Sequence, residues 1–84
     1  MSPEIKIAFS REVPRGACVV GRQEDENKYV PISITDCQGT DLMALGIARK
    51  MLKDGETPVF VFGSEDEMEE NADKIRMAFD DYNE

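Results

Sequence analysis

The longest uninterrupted apolar run is Pro58-Val59-Phe60-Val61-Phe62. Five apolar positions without polar alternation predict a strand covered on both faces, and the β-branched and aromatic side chains favour strand over helix. Such a strand belongs near the middle of a small sheet, and Pro58 suits its first position because only one ladder donor is missing there. Gly63-Ser64 follows and turns the chain into a helix. Ser64 is a candidate N-cap with Glu67 three residues on, the spacing of a capping box. Beyond it, Met68, Ala72, Ile75, Phe79 and Tyr82 recur at helical spacing and predict one apolar stripe turned toward the core.

Upstream the rhythm is shorter. Ile5-Lys6-Ile7-Ala8-Phe9 alternates and then turns apolar, as a first strand does. Arg11 to Gly16, with Pro14, carries turn chemistry. Ala17–Gly21 reads as a second strand, Gln23–Lys28 as a polar hairpin tip, and Tyr29–Ile34 as a third strand that Pro31 assigns to an edge. Asp36-Cys37-Gln38-Gly39 breaks the pattern before a helix capped by Thr40 or Asp41 and filled by Leu42 to Lys53. Leu45, Ala48 and Leu52 form its stripe, flanked by Ala44, Ile47 and Met51. The small residues Ala44, Gly46 and Ala48 suggest close packing on a sheet. Arg49, Lys50 and Lys53 complement the helix dipole, and Gly55 is the expected stop.

The order is therefore β-β-β-α-β-α, an α+β domain with a four-stranded mixed sheet and two packing helices. A helical crossover makes the fourth strand parallel to an earlier one, and placing it beside the first gives an expected order of 3-2-1-4. Eighty-four residues suffice for one domain, 1–84, with one modest core. A chain of this size buries only roughly 60% of its unfolded surface, so self-association, such as homodimer formation through a strand edge or a helix face, is an expected source of stability.

Composition narrows the chemistry. No apolar run approaches the ~20 residues of a membrane span, and Met1-Ser2-Pro3-Glu4 does not open a signal peptide, so a soluble, cytoplasmic protein is expected. There is no histidine and there are only two cysteines, Cys18 and Cys37. This excludes a disulfide framework, a standard zinc site and the ordinary Cys-His and Ser-His pairs. A hairpin over the second and third strands sets Cys18 opposite roughly residue 32, and both cysteines are expected to be partly buried thiols. The net charge of −8 is uneven: residues 1–63 hold nine acids against eight bases, residues 64–84 nine acids against two. That asymmetry disfavours direct nucleic-acid contact by the last third and points instead to a basic partner.

The strand–helix arrangement over roughly residues 5–76 resembles the first part of the ribonuclease H-like fold. The resemblance lies in a first strand ending at Phe9-Ser10, a three-strand meander, a helix opening Gly39-Thr40-Asp41-Leu42-Met43-Ala44, and a strand closing on Phe62-Gly63-Ser64. In active members, carboxylates at the end of the first strand, early in the first helix and at the end of the fourth strand gather two metal ions. Here those places hold Ser10, Asp41 and Gly63, and only Asp41 keeps a carboxylate. The resemblance thus implies a shortened scaffold without its metal site, since one acid cannot hold two ions.

Two candidate sites follow. The first is the acidic face of the last helix, Glu65, Asp66, Glu69, Glu70 and Asp73, which Glu24-Asp25-Glu26 and Asp80-Asp81-Glu84 would extend. Carboxylates spaced like phosphates would suit a nucleic-acid mimic, docking on the basic surface of a nucleic-acid-binding protein. Short acidic inhibitors carried by phages and mobile elements share this composition. The second is the rim at the carboxyl ends of parallel strands, Ser10, Arg11, Asp41, Gly63 and Ser64, where a small ligand or anion would sit. No catalytic residue, metal ligand or cofactor is assigned, and no membrane contact is expected. The expectation is a non-enzymatic protein-binding module. The alternatives are a degenerate ribonuclease H-like nuclease using Asp41 with Glu65 or Asp66, and a small-ligand or regulatory subunit.

Overall fold

The computed structural model describes residues 4–36 and 42–80. Its elements are β1 (Lys6–Phe9), β2 (Ala17–Asp25), β3 (Lys28–Asp36), α1 (Leu42–Lys53), β4 (Pro58–Phe62) and α2 (Glu65–Asp80). They form a four-stranded mixed sheet with both helices on one face, the α+β class expected from the pattern. The caps Thr40 and Asp41, together with Cys37, Tyr82 and the terminal acids Asp81 and Glu84, lie outside the described residues.

The strand order is β1-β4-β2-β3, which corrects the expected 3-2-1-4. β4 does run parallel to β1, with Lys6 opposite Val59 and Phe9 opposite Phe62. It is also antiparallel to β2, with Cys18 opposite Phe62 and Arg22 opposite Pro58. The reason is burial: every residue of β4 is buried, whereas three of the four in β1 are exposed. An all-apolar strand gains most from a place with a neighbour on each side, and a short half-polar strand loses least at the edge. The connection from β1 to β2, residues 10–16, must then step over β4 instead of closing a hairpin.

The β2–β3 hairpin runs longer than the sequence suggests. It narrows to a turn at Glu26-Asn27, where the Asn27 N–H donates to Asp25 Oδ1 at 2.9 Å. Cys18 faces Thr35, not residue 32, because the strands extend to Asp25 and from Lys28 and the register shifts at two places. β3 lies at the edge, as Pro31 predicts.

The main core fills the helix side of the sheet. Cys18, Val20, Phe60 and Phe62 meet Ala44, Leu45, Ala48 and Met51 from α1 and Ile75 and Phe79 from α2. Phe60 and Phe79 contact with ring centroids 6.5 Å apart and planes at 59°, and the Arg49 guanidinium lies 5.7 Å from the Phe79 ring centre. On the opposite face Val59 and Val61 are covered by Val13 from the crossing loop, with Ala17, Val19 and Tyr29 packed alongside. Gly46 points away from the sheet, with nothing within 4 Å of where a Cβ would lie, so close packing rests on Ala44 and Ala48. Gly55 does end α1, at φ 79°. Its N–H donates to the Leu52 carbonyl and that of Glu56 to Met51, the paired bonds of a Schellman motif.

Candidate functional site

The acidic face is built by the register of α2. Ile75 and Phe79 are buried, Met68 and Ala78 pack against the same core, and Asn71 joins them. Asn71 interrupts the apolar stripe read from the sequence. Its buried amide donates to the Glu67 carbonyl one turn back at 2.9 Å, which makes a polar residue tolerable there. With that side fixed inward, Glu65, Asp66, Glu69, Glu70 and Asp73 are all exposed. Among the described residues the ion pair within 4.0 Å is Arg22 with Glu56, at 3.4 Å, and it involves none of these five.

Glu67 is set apart from that face. Ser64 Oγ accepts the Glu67 N–H at 3.2 Å, the forward half of a capping box. The Glu67 side chain does not return to Ser64. Its Oε1 accepts the Gly16 N–H at 2.9 Å, across 51 residues of sequence, and its Oε2 is buried without a hydrogen-bond partner among the described residues. This carboxylate ties the start of α2 to the crossing loop.

That loop also shapes the strand-end rim. The Ser10 N–H donates to the Phe62 carbonyl at 2.8 Å, bringing Ser10, Gly63 and Ser64 together at the carboxyl ends of β1 and β4. Residues 13 and 14 then cross Gly63 so closely that a Cβ there would lie 2.6 Å from the Pro14 oxygen and 2.7 Å from that of Val13. Arg11 is exposed on the loop, and Asp41 lies outside the described residues. The backbone of residues 13 and 14 therefore lies directly against Gly63 at the end of β4. Among the described residues no group of three or more Asp, Glu or Cys is placed to hold a metal ion, and no helix is long and apolar enough to cross a membrane.

The hairpin acids do not join the α2 face near its start. Gln23 donates its N–H to the Thr57 carbonyl, so Glu24-Asp25-Glu26 lie beyond the amino end of β4, whereas Ser64 follows its carboxyl end. A groove of about 540 Å³ does lie along the open edge of the sheet. It runs along β1 between Lys6 and Ser10 and is walled by the hairpin tip from Asp25 to Tyr29. Nothing in the residue pattern pointed to it, because it depends on β1 being an edge. No protein-family model, curated protein or solved structure matches the chain.

Proposed function

We propose that this chain is a non-enzymatic binding module that docks the exposed carboxylates of α2 on a basic protein surface, in the manner of a nucleic-acid mimic. The observation that carries the reading is the set Glu65, Asp66, Glu69, Glu70 and Asp73, exposed together on one helix and outside the ion pair formed among the described residues. A partner's Lys and Arg side chains would neutralise these acids without first displacing an internal partner. A helix fixed by Ile75 and Phe79 presents them without further ordering, which lowers the entropic cost of association. The partner class that fits is a nucleic-acid-binding protein, whose cationic groove the helix would occupy as an inhibitor.

Affinity capture with the intact chain and with E69K/E70K/D73K tests this. The expected result is a captured protein that binds nucleic acid, is displaced from it by the intact chain, and is lost in the triple variant. Association should slow steeply as salt rises, because steering between opposite charges is screened over ~10 Å at 0.1 M. Equal capture by the charge-reversed chain, with its fold intact, overturns the reading.

A further inference from the structure

The two edges of the sheet are not alike. β3 carries Pro31, which has no N–H to offer, and its pairing with β2 shifts register beside that residue. Both features blunt an edge against further strands. β1 has neither: it contains no proline and pairs with β4 in unbroken register. In a parallel pair, alternate residues turn both backbone groups to the same neighbour. The Ser10 N–H bonds the Phe62 carbonyl, so Ser10, Ala8 and Lys6 face β4, and the N–H and C=O groups of Ile7 and Phe9 face outward. Phe9 is 45% exposed.

The charge beside this edge is opposite in sign to the molecule's own. The groove along β1 is lined by Lys6, Lys28 and Arg76, against Asp25 and Glu26. Asp25 already accepts a backbone N–H within the hairpin turn. Lys6 shares the face of Val59, away from the helices, and Lys28 stands on the hairpin wall, while Arg76 comes from α2 on the helix side. Cations therefore flank the edge above and below the plane of the sheet. A strand's side chains alternate between those two sides.

We infer that the outer edge of β1 receives an extended acidic segment of another protein as a fifth strand. Backbone pairing with Ile7 and Phe9 supplies the docking, and carboxylates at alternate positions of that segment, which share one face, meet Lys6 on the side away from the helices, with Lys28 of the hairpin wall lining the same groove. A second copy of this chain is the poorer occupant. α2 packs beneath β1, so edge-to-edge pairing would bring two helices bearing the same exposed acids side by side.

The test uses the full chain and a short fluorescent peptide of alternating Glu and Val, with an alternating Lys and Val peptide as the opposite charge. Phe9→Pro removes an outward N–H without touching the β4 ladder, and Phe9→Ala controls for loss of the ring. Circular dichroism and thermal melting confirm that each variant folds. The expected result is binding of the acidic peptide only, weakened about tenfold by Phe9→Pro, retained by Phe9→Ala, and reversed in charge preference by K6E/K28E. Failure of the acidic peptide to bind, equal binding of the basic one, or indifference to Phe9→Pro in a folded chain overturns the inference. So does sedimentation showing a dimer that Phe9→Pro dissociates, because the edge then belongs to a second copy. Charge reversal on α2 leaves this binding unchanged, which separates the result from the fate of the acidic-face reading.

Discussion

Gly63 and Gly46 illustrate how little residue type alone says about a site. Both are glycines in or beside regular structure, but the backbone of residues 13 and 14 lies against one and open space surrounds the other. Gly63→Ala should destabilise the fold by about 1–3 kcal/mol, because the obstructing atoms are main-chain carbonyls that cannot swing aside as a side chain would. Gly46→Ala should stabilise it by about 0.5–1 kcal/mol, through helix propensity alone. Urea unfolding of the two variants would separate these signs, and a harmless Gly63→Ala would mean that the crossing loop does not press on the strand end. Neither glycine announced its role in the sequence, since both depend on what a distant segment does. Asn71 differs again: residue type does not mark a polar side chain as buried, and this one is tolerated inside because its amide donates to the preceding turn of its own helix.

At the scale of elements, the strongly patterned stretches were the readable ones. The unbroken run at β4, the Pro31 edge, the Gly55 stop and the apolar faces of both helices follow from local chemistry, and each element forms near where that chemistry puts it. The start of α2 was legible as a cap, but not as a tether. Ser64→Ala should cost about 1 kcal/mol, the usual loss of a helix N-cap. Glu67→Ala should cost a comparable amount by leaving the Gly16 N–H without its acceptor. It should also speed proteolysis within residues 10–16, which Ser64→Ala should do far less. Limited digestion followed by mass spectrometry checks the difference. Equal cutting in both variants would show that Glu67 serves only the helix.

For the whole molecule, what composition could not convey was sheet order. Placing the fourth strand beside the first was sound, because crossover geometry constrains it. The assumption that residues 10–16 close a hairpin was not, and the buried Val13 inside that turn region was the overlooked signal. The actual order makes β1 an edge, creates the groove and sets the acids of the hairpin tip far from the start of α2. It also predicts a protection pattern in hydrogen exchange. Amides of Val59 to Phe62 should exchange last. Within β1, Ala8 should exchange slowly, and Ile7 and Phe9 fast, because only the former is turned toward a neighbour. Equal protection along β1 would mean that its outer side is already covered. The charge of the acidic helix also belongs to this scale, since five exposed carboxylates act on a distant partner as one field that salt attenuates.

The strand that completes the sheet is also the last of the four to be made. β2 and β3 are joined by a tight turn and can pair as soon as both leave the ribosome, but β1 has no lateral neighbour until β4 arrives between it and β2. Any early zipping of β1 directly onto β2 occupies the slot that β4 requires and must come apart before the native order can form. Synthesis past Phe62 therefore precedes the decisive step, and a nascent chain stalled before Pro58 holds a hairpin, a helix and a stray strand instead of a partial domain.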